Sequence, residues 1–99
     1  MAKSFAQHVA ADRRLAILRI LEGSAEYRAN LYIIQRVLAD IGHSTSLDTI
    51  NTDLAWLGEQ GLLEIETVGD VNIPQLIARG LDVACGRAVV PGVARPMPD

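Results

Sequence analysis

At Gly61 the spacing of apolar residues changes from a helical period to an alternating one, and that change limits the folds open to the chain. Before it, Leu31, Ile34, Leu38 and Ile41 mark one face of a helix. Asn30 supplies its N-cap and Gly42 its stop. His43-Ser44-Thr45 then makes a short polar turn. A further helix is predicted over 46–60, with Ser46 as cap and Asp48 in the first turn, where the helix dipole favours a carboxylate. Leu47, Ile50, Leu54 and Leu57 give it one apolar face. Two helices joined by so short a turn form a helix-turn-helix unit. After Gly61, Leu63, Ile65 and Thr67 alternate with Glu64, Glu66 and Val68, which is the pattern of a half-buried strand. Gly69-Asp70 turns the chain, and Val71, Ile73 and Gln75 begin a second strand. Pro74 has no N–H for a sheet ladder, so this strand is predicted at an edge or ending near Ile73. A hairpin directly after the second helix of such a unit is a wing.

The flanks complete the frame. Ser4 and Gln7 have capping-box spacing, and a first helix is predicted over 5–22. Val9, Ala10, Leu15, Ile17, Leu18, Ile20 and Leu21 spread around most of its circumference, more than one core contact requires. The surplus predicts a homodimer in which this helix and the C-terminal segment take part. A short last helix is predicted over 79–87, with Gly80 and Gly86 weakening it. Residues 89–99 hold Pro91, Gly92, Pro96 and Pro98, and are expected to be extended unless a partner holds them. The reading is mainly α with a small β-hairpin: a winged helix-turn-helix domain over 1–88 and a proline-rich tail over 89–99. Its three-helix core carries a two-stranded wing and a short C-terminal helix. Leu18, Leu21, Ile34, Leu38, Ile50, Leu54, Leu57, Leu63 and Ile65 are expected to be buried together.

Several function classes are excluded by what the sequence contains. With aromatics at 4% of 99 residues, the core must be aliphatic and a single compact domain is expected. No apolar run approaches the ~20 residues that span a bilayer. The polar N-terminus is unlike a secretory leader, and Cys85 has no internal disulfide partner. A cytoplasmic protein without membrane contact is expected, with Cys85 packed as a small apolar residue. His8 and His43 lack zinc-ligand spacing, and His43 is assigned to a solvated turn. No phosphate loop is present, and so small a chain offers little room for a concave site. No catalytic residue, metal or cofactor is assigned, and the chain is not expected to be an enzyme.

Thr49-Ile50, Asp53-Leu54, Leu57 and Glu59-Gln60-Gly61-Leu62-Leu63 resemble the recognition helix and first wing strand of winged-helix regulators. The chain as a whole is similar to a family of short proteins of Mu-like prophages that carry an ArsR-like regulator label. Asp12 to Arg19, Asp53 to Leu57, Ala78 to Ala84 and Val90 to Val93 carry that similarity. The resemblance implies a winged-helix fold and a phage context, with a regulator-like role read from fold alone.

Charge divides the possible functions. The net charge is −3, whereas a DNA binder usually shows a basic balance. On the 46–60 helix Ser46, Thr49, Asn51, Thr52 and Gln60 form a polar face that could read base edges. The cations to hold phosphate would be Arg13, Arg14, Arg19, Arg79 and Arg87, because residues 46–78 contain no Lys or Arg. This gives a DNA-associated regulator with duplex DNA as partner. The alternative is a protein-interaction module for a phage or host partner. Its surface would be Asp48, Asp53, Glu59, Glu64, Glu66 and Asp70, with Trp56 as apolar anchor or as a boundary residue under the wing.

Overall fold

The computed structural model describes residues 2–97. Helix α1 (Phe5–Glu22) is followed by a single 3-10 turn (Ala25–Tyr27), then α2 (Leu31–Asp40) and α3 (Leu47–Glu59). Strands β1 (Leu63–Val68) and β2 (Val71–Leu76) form an antiparallel hairpin, and α4 (Ala78–Ala84) closes the regular structure. This is the mainly helical, winged architecture that the change of period predicts.

The helix starts follow from local chemistry. Ser4 Oγ accepts from the Gln7 N–H at 3.1 Å, while Gln7 Oε1 accepts from the Ser4 N–H at 2.8 Å, a complete capping box. Asn30 and Ser46 cap α2 and α3 by accepting from Ile33 N–H at 2.9 Å and Thr49 N–H at 3.1 Å. At the end of α2 the Gly42 and His43 N–H groups return to the Ala39 and Leu38 carbonyls. That paired closure turns the chain sharply enough to bring α3 across α2.

Leu15, Ile17, Leu18 and Leu21 of α1 meet Ile34 and Leu38 of α2, and Ile50, Leu54 and Leu57 of α3, in one aliphatic core. Leu62, Leu63, Leu76, Val83 and Ala84 close it from the hairpin and α4. The hairpin register pairs Leu63 with Leu76 and Ile65 with Pro74. Only Leu63 of β1 is buried; Ile65, expected in the core, is 39% exposed. β1 has the alternating sequence, but the wing leaves the body after its first residue, so Ile65 stays partly exposed. β2 continues through Pro74, which a two-stranded sheet tolerates because both strands are edges. The outer side of β2 is partly covered where Arg28 bridges Gln75.

Two further differences lie near the C-terminus. α4 runs Ala78–Ala84 rather than 79–87, and Cys85 is exposed beyond its last turn instead of packed. Residues 89–97 contain no helix or strand, yet Val90 and Val93 are buried in the main core, and the Ala94 N–H donates to the Ala11 carbonyl at 3.1 Å. The surplus apolar surface of α1 is therefore largely covered within the chain, by α2, α4, β2 and the returning tail.

Candidate partner-binding surface

Asp53 sits on the buried face of α3, between Ile50 and Leu57, and is 2% exposed. A lone carboxylate there would be costly, since burial removes its water. Two consecutive arginines of α1 meet it instead. Arg13 Nε donates to Oδ2 and Arg13 Nη2 to Oδ1 at 3.3 Å, while Arg14 Nε donates to Oδ1 at 3.2 Å. Arg14 also donates through Nη1 to the Gly92 carbonyl at 3.0 Å, and its guanidinium lies 4.3 Å from the centre of the Trp56 ring. This cluster ties α1, α3 and the C-terminal segment together. Trp56 is a partly buried residue at the edge of the core, under Arg14 and Gly92.

Of the arginines assigned to phosphate, most already have protein partners. Arg13 and Arg14 hold Asp53. Arg79 donates to the Gln60 carbonyl at 2.9 Å, where a cation complements the C-terminus of α3. Arg87 bonds Asp82 at 3.0 Å, and that hydrogen bond raises the pKa of its guanidinium. Arg19 alone in that set makes neither an ion pair nor a side-chain hydrogen bond among the described residues.

The polar face of α3 is also largely bonded to itself. Ser46 Oγ caps Thr49 and donates to Thr49 Oγ1 at 3.0 Å. Thr52 Oγ1 donates to the Asp48 carbonyl at 3.0 Å, and Asn51 Oδ1 accepts from Asn72 of the wing at 2.8 Å. The Gln60 side chain is half-buried at the C-cap. Of the acids, Asp48, Glu59, Glu64 and Asp70 are exposed, and Glu66 is met at 3.3 Å by Arg28. The outward surface of α3 and the wing is thus acidic, with Ile65 and Val68 as its exposed apolar side chains.

His43 is not free in solvent: its Nε2 lies 2.7 Å from Asp12 Oδ2, joining the helix-turn-helix turn to α1. Among the described residues no three His, Cys, Asp or Glu side chains converge in a way that could hold a metal. No described helix is long and apolar enough to cross a membrane.

Asp53, expected from sequence on the exposed acidic surface, is instead buried beneath it, and the signal for that was present. Asp53 stands three residues after Ile50 and four before Leu57, on the face that must be buried.

No protein-family model matches the chain, and no solved structure matches it. The gp26 protein of Escherichia phage Mu is 44% identical over 87 residues, covering 88% of this chain and 90% of that protein. A protein of Haemophilus influenzae is 46% identical over 87 residues, covering 84% of each chain. Neither has an assigned activity. Identity at this level over nearly the full length of both relatives places the chain in the Mu-like phage family to which gp26 of phage Mu belongs.

Proposed function

We propose that this protein is a protein-interaction module built on a winged helix-turn-helix scaffold, in which the α3 and wing surface meets a basic face of a phage or host partner. The observation that supports this most is the charge of that surface. Asp48, Glu59, Glu64 and Asp70 are exposed there, residues 46–78 contain no base, and the nearest arginines of α1 are held behind α3 by Asp53.

In a DNA-reading protein of this type the second helix enters the major groove, and Lys and Arg neutralise phosphate. Here the same approach sets carboxylates against phosphates. The ArsR-like regulator reading of the family draws its support from architecture alone, and architecture does not fix activity. A cationic protein face fits the same surface better. Its attraction would act over the ~8 Å screening length of physiological salt, and Ile65 and Val68 would supply apolar contact.

A photo-crosslinking residue placed at exposed Ala55 of α3 tests the reading in phage-producing cells. The expected result is a crosslinked protein that disappears in a folded Asp48→Lys, Glu59→Lys variant. Crosslinks to DNA, or protein crosslinks unchanged by the charge reversal, would overturn it.

A further inference from the structure

An open groove runs between α1 and α2, away from the acidic surface. Leu15, Ala16 and Ile20 line it from α1; Ile33 and Val37 of α2 and Ile41 at its C-cap line it opposite, around a volume of about 580 Å³. Ile33 is 48% exposed and Ile41 56% exposed, so these side chains stand at its mouth with none of the described residues over them. Asp12 and Arg19, both on α1, also line it. They are seven residues apart, about two helical turns, and so lie on the same side of α1. Arg19 has no ion-pair partner among the described residues, and Asp12, whose carboxylate bonds His43, is still 66% exposed.

We propose that this groove is occupied by the same groove of a second copy, with the two α1 helices antiparallel about a two-fold axis passing between Asp12 and Arg19. Such an axis places Arg19 of each copy against Asp12 of the other, and sets the isoleucines of both copies into one apolar seam. A single surface that carries its own complement is what a closed two-fold dimer requires. An apolar centre with a charged rim is the usual anatomy of such interfaces. The C-terminal tail, expected from sequence to share in a dimer, is instead folded onto its own core through Val90 and Val93. The inference does not rest on the acidic surface, which it leaves free on each copy.

Light scattering or sedimentation of the full chain over a micromolar concentration range tests it. Wild type is expected to be a dimer. Ile33→Glu, at an exposed position, should leave the circular dichroism unchanged and yield monomer. Arg19→Asp alone and Asp12→Arg alone each set like charges against each other twice, and each should weaken dimerisation by roughly tenfold or more. Mixing those two single variants restores both opposite-charge pairs, and should recover a heterodimer of near wild-type affinity. A wild-type monomer at high micromolar concentration would overturn the proposal. So would a dimer indifferent to Ile33→Glu, or charge variants that fail to rescue each other while remaining folded. None of these outcomes bears on whether the α3 surface binds a partner.

Discussion

Asp53 is held by two guanidinium groups, and most of its energetic importance lies in what its loss would leave behind. Removing one partner of a buried ion pair costs about 3–5 kcal/mol, because the remaining charge stays desolvated. Asp53→Ala is expected to fall in that range by urea denaturation, and a loss below ~1 kcal/mol would mean that Arg13 and Arg14 find water instead. Arg14 has a second role through its guanidinium over the Trp56 ring and its bond to the Gly92 carbonyl. Gly92 has a φ of 98°, and a Cβ there would lie 2.8 Å from the Trp56 ring. Gly92→Ala is therefore expected to destabilise by about 1–3 kcal/mol and to shift the Trp56 emission as the tail lifts from the ring.

The helices and the wing differ in how much each contributes to the core. Leu54 of α3 is fully buried, and Leu54→Ala is expected to cost about 2–5 kcal/mol. Ile65→Thr on the exposed part of β1 should change stability by no more than ~0.5 kcal/mol, and equal losses at the two positions would contradict the placement of the wing. This contrast also shows where the sequence was legible. Caps at Ser4, Asn30 and Ser46 mark the starts of α1, α2 and α3, and one-sided apolar spacing marks α2 and α3, because those signals are local. Alternation marks β1 as a strand, but alternation does not say whether a second layer covers it, and Ile65 was placed in the core for that reason. Gly80 weakened the sequence pattern for α4. Its cause is tertiary: a Cβ there would stand 1.9 Å from the Leu62 carbonyl oxygen, so the missing side chain lets α4 cross the start of the hairpin.

At the scale of the molecule, the C-terminal segment was the least legible part. Its prolines and glycine suggested an extended chain, whereas Pro91 and Gly92 form a turn closed by the Val93 N–H donating to the Val90 carbonyl at 3.1 Å; two valines do not make a periodic pattern, and their burial depends on α1 and α3 being in place. Deleting residues 89–99 removes Val90, Val93 and the Gly92 carbonyl that Arg14 uses, and the melting temperature is expected to fall by several degrees. An unchanged melting temperature would show that the tail adds nothing to the fold. The acidic surface was visible in the sequence, whereas the diversion of Arg13 and Arg14 to Asp53 became clear only once α1 and α3 were placed together. The proposed protein-binding reading draws on that diversion, and a titration tests it most directly. Isotope-labelled protein, followed by NMR, is mixed with a long mixed-sequence duplex at low salt. No shifts are expected at Thr49, Asn51 or Gln60, and no binding within the ~10⁻⁴–10⁻⁶ M range of ordinary non-specific DNA binders. Saturable binding in that range, with shifts centred on α3 and the wing, would contradict it.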